Sequence, residues 1–169
     1  MTLANMVGRG LERAEPDRQE ISRYLIKIRR RTEDAAKSAV SLESRFDIAF
    51  EALLLIALAA LRANGYRATS EAGHQRLVIR LLPESIGIDP VEIRIMDEFR
   101  KKRSLGLYEA DFDPSDEEVK AVTDSVRSLL ERLEIWLSAH RPDLIAASKL
   151  PPPTPAREKS GRRRARGKR

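Results

Sequence analysis

Cysteine is absent from the chain, which excludes a disulfide scaffold, a thiol nucleophile and any thiolate metal site. Histidine is nearly absent: two residues leave little from which to build a protein-held metal centre, and no metal or other cofactor is expected. Aromatic residues make up 5% of the chain, so a platform for stacking single-stranded bases is not expected either. The longest apolar run, Ala52 to Leu61, has ten residues between Glu51 and Arg62, about half of what crossing a bilayer takes. Met1 to Arg13 holds no continuous apolar stretch of the kind a signal peptide needs. These absences predict a soluble, cytoplasmic protein with no membrane partner. Glycine-rich phosphate loops, paired-carboxylate signatures and a Ser-His-Asp order are missing too.

Charge is plentiful but unevenly placed. From Pro151 to Arg169 there are eight Lys or Arg and one acid, Glu158, a net of +7; the preceding 150 residues carry 24 basic and 25 acidic groups. The high pI of the chain therefore belongs to its last segment. That segment opens Pro151-Pro152-Pro153-Thr154-Pro155 and holds no large apolar residue, so it cannot offset the entropy of ordering, and disorder is predicted. Its clustered Arg162, Arg163, Arg164 and Arg166 suit nucleic acid or an acidic partner, since cations release counterions condensed on phosphates; they equally suit a solubilising appendage. The predicted division is a lead-in over 1–16, one helical-bundle domain over 17–148 and a basic tail over 149–169, a length suited to a single core.

Strand signals are nearly missing, and the apolar spacing reads as five helices. The first spans about Asp17 to Val40, with Ile21, Leu25, Ile28, Ala35 and Ala39 on one face. The second spans about Leu42 to Asn64 and stops at Gly65, the usual residue of a left-handed C-terminal cap. Its stripe of Leu42, Phe46, Ala49, Phe50, Leu53, Ile56, Ala57, Ala60 and Leu61, with Leu54 and Leu58 on another side, predicts a central helix packed on more than one face. A short third helix follows Gly73 and ends near Pro83. Asp89-Pro90-Val91-Glu92 supplies an N-cap, a first-turn proline and an acid for the fourth, which weakens at Gly106. Ser115-Asp116-Glu117-Glu118 is a capping box for the fifth, which runs through Val119, Val122, Val126, Leu129, Leu133 and Leu137. An all-α, antiparallel four- to five-helix bundle follows.

The densest polar cluster is Arg100-Lys101-Lys102-Arg103-Ser104 with Tyr108 and Glu109, at the end of the fourth helix. Cations there meet the negative end of the helix dipole, which is reason enough for them. They also form a phosphate-binding set, Lys101 and Lys102 included. If the chain turns at Gly106, Arg103, Ser104 and Tyr108 face one cleft. If the helix runs straight, Arg100, Ser104 and Tyr108 share a face instead.

Taken together, Ser41-Leu42-Glu43-Ser44-Arg45-Phe46-Asp47-Ile48-Ala49-Phe50-Glu51-Ala52, then Asn64-Gly65-Tyr66-Arg67, Gly73-His74 and Arg100-Lys101-Lys102-Arg103 with Tyr108 resemble the HEPN family of small prokaryotic helical proteins. The resemblance covers roughly Asp17 to Ala139. It implies a four- or five-helix bundle, usually a homodimer, in toxin–antitoxin or phage-defence modules. Many relatives are metal-independent endoribonucleases whose motif is an Arg, a polar residue and a His, four to six residues separating Arg from His, with two protomers completing one RNA-cleaving cleft. Carried over, Arg103 is the Arg and Ser104 the polar residue, while Tyr108, Glu109 and Ala110 occupy the places open to the His. Arg103 suits phosphate by its paired donors; a phenol titrating near 10 is a poor general base at pH 7. The resemblance also implies an alternative, a non-catalytic binding or antitoxin partner of a nucleotidyltransferase-like protein, with Tyr108 as the acceptor of a transferred nucleotide. A third reading gives function to the basic tail alone.

Asp47 and Glu51, one turn apart on the second helix, are expected to hold Arg103 or Arg100 toward the cleft, or else to form ordinary ion pairs. His74 suits the start of the short third helix and His140 the end of the last, and neither replaces the motif His in this reading. Trp136, at the edge of the fifth helix's apolar stripe, suits core or interface.

Overall fold

A computed structural model describes residues 2–69, 73–109 and 112–145, the side chains of 107–109 excepted. Residues 146–169, with Arg162, Arg163, Arg164 and Arg166, lie outside the described residues, as does Ala110. In chain order the elements are a 3-10 turn over Leu3–Met6, β1 (Leu11–Arg13), α1 (Arg18–Ala35), α2 (Leu42–Ala63), β2 (Tyr66–Ala68), α3 (His74–Arg80), α4 (Leu82–Ile86), α5 (Pro90–Glu109), α6 (Asp116–His140) and α7 (Pro142–Ile145). The protein is thus mostly helical. No helix among the described residues is long and apolar enough to cross a membrane.

The core is built around α2. Ser41 caps its start by accepting from the Ser44 amide at 3.3 Å, and Gly65, at φ +85°, ends it in the left-handed region that side chains with a Cβ avoid. Between them Phe46, Ala49, Phe50, Leu53, Ile56, Ala57, Ala60 and Leu61 are buried, as their spacing predicts, and so are Ala52, Ala59 and Ala63 on the flanks. The small flanking residues let neighbours approach closely. α1 lays Ile21, Leu25, Ile28 and Ala35 against this core, and α6 lays Val119, Val122, Val126, Leu129, Leu133 and Leu137 against it. The Ser115 capping box is complete, the Glu118 amide donating to Ser115 Oγ at 3.2 Å and the Ser115 amide to Glu118 Oε2 at 2.9 Å.

The structure differs from the sequence pattern in four places. α1 stops at Ala35, not near Val40, because Arg45 of α2 donates through Nε to the Ala35 carbonyl at 2.8 Å and satisfies the helix end there. α3 ends at Arg80, near Pro83 as expected, but a further helix follows at once, with Pro83 in the first turn of α4, where its missing N–H has no cost. α5 continues through Gly106 to Glu109. Residues 11–13 and 66–68 form an antiparallel pair, Leu11 opposite Ala68 and Arg13 opposite Tyr66, that draws the segment before α1 into the structure. Leu3 and Leu11 join the core.

A buried arginine locks that pair to the helices. Arg62, 3% exposed, uses all five N–H donors: Nε and Nη2 to Glu20 Oε2 at 3.0 and 2.8 Å, and the rest to the carbonyls of Ala14 (2.9 Å), Tyr66 (3.3 Å) and Glu15 (2.8 Å). The hydrogen bond from Arg62 holds the Glu20 carboxyl below the usual range against the opposing effect of burial, with the charges of Arg62 and Arg67 adding to it.

Candidate functional site

α5 is anchored by few apolar contacts: Met96 and Phe99 are its buried side chains among the described residues. Phe99 meets Phe46 edge-on, with ring centroids 6.1 Å apart, and Phe112 meets the same ring at 4.9 Å. The returning chain reaches Phe46 by passing over Gly106, where an added Cβ would lie 2.9 Å from Phe112 Cβ. Glycine is therefore needed at 106 for close approach inside a continuous helix, not for a turn.

Because α5 is continuous there, Arg100, Arg103 and Ser104 fall at i, i+3 and i+4 on one face. They line a groove of about 280 Å³ together with Gly73, His74, Gln75 and Arg76 at the start of α3. Each α5 arginine is oriented by a carboxylate at Nε. Arg100 donates to Asp97 Oδ1 at 2.8 Å, and Arg103 to Asp47 Oδ1 at 3.3 Å. The Arg103 guanidinium also lies 5.4 Å from the centre of the Phe50 ring, which faces it with π-electron density. The Nη atoms of both arginines make no hydrogen bond among the described residues, so each presents two terminal nitrogens to a ligand. Burial works to raise the Asp97 pKa, but the hydrogen bond from Arg100 and the charges of Arg100, Arg76 and Lys101 hold it below the ordinary value. The carboxylate therefore stays ionised and keeps its arginine in place.

The other candidates are dispersed. Glu51 faces α1, 3.4 Å from Lys27 Nζ and 3.2 Å from Arg31 Nε, and forms an interhelical ion pair instead of holding a groove arginine. Asp47 is the one of the two carboxylates that meets Arg103. Lys101 pairs with Glu98 at 2.6 Å, and Lys102 reaches across to Glu118 of α6; neither lines the groove. Tyr108 is one helical turn beyond Ser104, and its side chain lies outside the described residues. His140 is exposed and stacks on Trp136 at 4.8 Å, its Nδ1 3.0 Å from the Trp136 carbonyl. Trp136 itself is partly buried against the core.

The sequence pattern gave no weight to Arg76 and set His74 aside. Nothing in the local spacing shows that α3 packs on α5; only the three-dimensional contact between these helices brings His74 and Arg76 beside Arg103. Among the described residues, no group of His, Asp and Glu is placed to hold a metal ion. What the groove offers is guanidinium, imidazole, hydroxyl and amide groups, a donor-rich set suited to an anion. At about 280 Å³ it falls just below the range typical of enclosed small-molecule sites, roughly 300–1,000 Å³, and suits a segment of a longer polyanion lying across it. Compared with known proteins, the chain matches no family model, no curated protein and no solved structure.

Proposed function

We propose that this protein is a HEPN-type component of a toxin–antitoxin or phage-defence module, a cytoplasmic helical bundle with a basic tail that acts on RNA as a homodimer and cleaves it without metal. One observation carries the reading: two guanidinium groups, each fixed at Nε and open at its terminal nitrogens, share a groove with a hydroxyl and an imidazole. In this reading Arg100 and Arg103 grip a phosphodiester through paired donors and stabilise the charge that builds on it during attack by the 2′-hydroxyl. Ser104 orients the phosphate. The imidazole that Tyr108 does not supply comes from His74 on α3, which accepts the 2′-hydroxyl proton as the 2′-oxygen bonds to phosphorus; the P–O5′ bond breaks, and the resulting imidazolium gives the proton to the departing 5′-oxygen. The guanidiniums neutralise charge, so no cation is required.

The test is incubation of the full chain with tRNA and total RNA in the presence of a chelator. Cleavage leaving 2′,3′-cyclic phosphate ends is expected, with a loss of about 100-fold or more in His74→Ala, whose RNA binding persists. Arg103→Ala loses cleavage and the salt-insensitive part of the binding, while the salt-sensitive attraction of the basic tail remains. RNA bound but never cut would favour the non-catalytic partner of a nucleotidyltransferase; neither binding nor cleavage would reject the assignment of this groove to RNA.

A further inference from the structure

A second surface, independent of the RNA groove, lies where the first half of α1 meets the end of α6 and α7. It is a depression of about 1140 Å³. Leu25 and Leu144 form its floor, and Ile26 and Ile145 stand on its rim, 53% and 39% exposed. Above this apolar floor the cations are not fully committed. Arg18 makes no hydrogen bond or ion pair among the described residues. Arg23 comes only within 3.9 Å of Asp17, whose oxygens already cap α1 by accepting from the Gln19 and Glu20 amides. Arg29, by contrast, is spent on Glu134 at 2.5 Å. A neighbouring hollow shares Arg23 and Ile26 and adds Arg30, which makes no hydrogen bond or ion pair among the described residues and acts on Asp34 only through its charge. From Arg18 to Arg30 the face runs about 18 Å, roughly three turns of a docked helix.

We propose that this face receives an acidic amphipathic helix of a partner protein. Its apolar side chains, at i, i+3, i+4 and i+7, would cover Leu25, Ile26, Leu144 and Ile145, and its carboxylates would meet Arg18, Arg23 and Arg30. Charge complementarity selects this occupant over the others. The same face of a second copy would bring Arg18, Arg23 and Arg30 against themselves in a symmetric contact. The chain's own last segment, with eight basic residues and one acid, would be repelled. A nucleic-acid backbone would satisfy the arginines but leave the isoleucines and leucines uncovered.

The proposal is tested on the full chain with a fluorescein-labelled 15-residue helical peptide carrying leucines at that spacing between glutamates. Two control peptides replace the glutamates by lysines or the leucines by serines. The acidic leucine peptide is expected to bind about 10-fold more tightly than either control, the order set by charge pairing and apolar burial together. Arg18→Glu with Arg23→Glu should reverse the preference toward the lysine peptide, and Ile26→Ser should weaken binding several-fold. Arg23 and Ile26 are exposed and Arg18 is half-buried, and unchanged circular dichroism would show that the variants fold. Binding indifferent to these substitutions, as attraction to the basic tail would be, overturns the proposal. So does tighter binding to anionic lipid vesicles than to the peptide, or loss of peptide binding on self-association of the chain.

Discussion

Arg62 is the most heavily satisfied polar side chain among the described residues, and its removal has a size that can be worked out. In Arg62→Met the aliphatic stem is kept, but Glu20 loses its two shortest hydrogen bonds and the carbonyls of Ala14, Glu15 and Tyr66 each lose a donor. Breaking a buried ion pair from one side costs about 3–5 kcal/mol, chiefly through the groups left unpaired. For a chain of this size that lowers Tm by about 10 °C. Glu20→Gln is milder, about 1–2 kcal/mol, because an acceptor oxygen remains while the charge is lost. The two variants also differ with pH. The folded-state pKa of Glu20 is depressed, so its contribution is fully present above the unfolded carboxylate value of about 4.5 and is lost as pH falls through the folded value. The stability gap between wild type and Glu20→Gln should therefore close on the acid side, whereas the gap to Arg62→Met persists in part, since the three carbonyls do not titrate. Urea unfolding followed by circular dichroism at pH 7 and pH 3 measures both. A cost below about 1 kcal/mol for Arg62→Met at pH 7, with unchanged m-value, would refute the view that this cluster holds the strand pair to the helices.

Gly106→Ala should destabilise by about 1–2 kcal/mol, although the same change in an open helix gains about 1 kcal/mol, because the new Cβ meets Phe112 Cβ at 2.9 Å; a rise in the urea midpoint would show that α5 and Phe112 are not in contact. Asp47→Asn should barely alter stability, since its pair with Arg103 is partly exposed on both sides. It should strengthen RNA binding by removing a competing negative charge and yet slow cleavage by freeing Arg103 to turn, a split visible in filter binding set beside single-turnover rates; a parallel fall in both would make Asp47 a structural support only.

Much of the helical pattern was legible because local chemistry and tertiary packing agree there. Asp17, Ser41 and Ser115 announce the starts of three helices and serve as caps. The stripe of α2 is buried as its spacing requires. The discrepancies arise where a distant group overrides the local signal. Arg45 ends α1 early by occupying the Ala35 carbonyl. Gly106 looks like a helix end in isolation, and only Phe112, six residues on, explains a glycine inside the helix. The strand pair has three residues on each side, too few for alternation to be visible, and is held by Arg62, which from sequence reads as an ordinary last-turn cation. At the candidate site Arg103, Ser104, Asp47 and Arg100 were legible as a cluster on or facing one helix, whereas His74 and Arg76 depend on how α3 packs against α5.

The basic run on α5 carries a further consequence for how the groove and the tail divide any binding. Arg100, Lys101, Lys102 and Arg103 face four carboxylates, those of Asp97, Glu98, Glu118 and Asp47, so the run has no net charge to offer. Lys101 and Lys102 place their ammonium groups against those acids, and an ammonium is a point charge with no defined open side. Arginine differs, because a carboxylate bound at Nε leaves the terminal nitrogens directed elsewhere. A polyanion held in this groove is therefore held by the direction of a few donors, and its affinity should fall only gently with salt. The segment over 157–169, where eight cations meet one acid, should by contrast give a steep salt dependence and little preference among polyanions. A full-length protein whose RNA affinity collapses with salt while its cleavage rate on saturating RNA does not would display that division of labour directly.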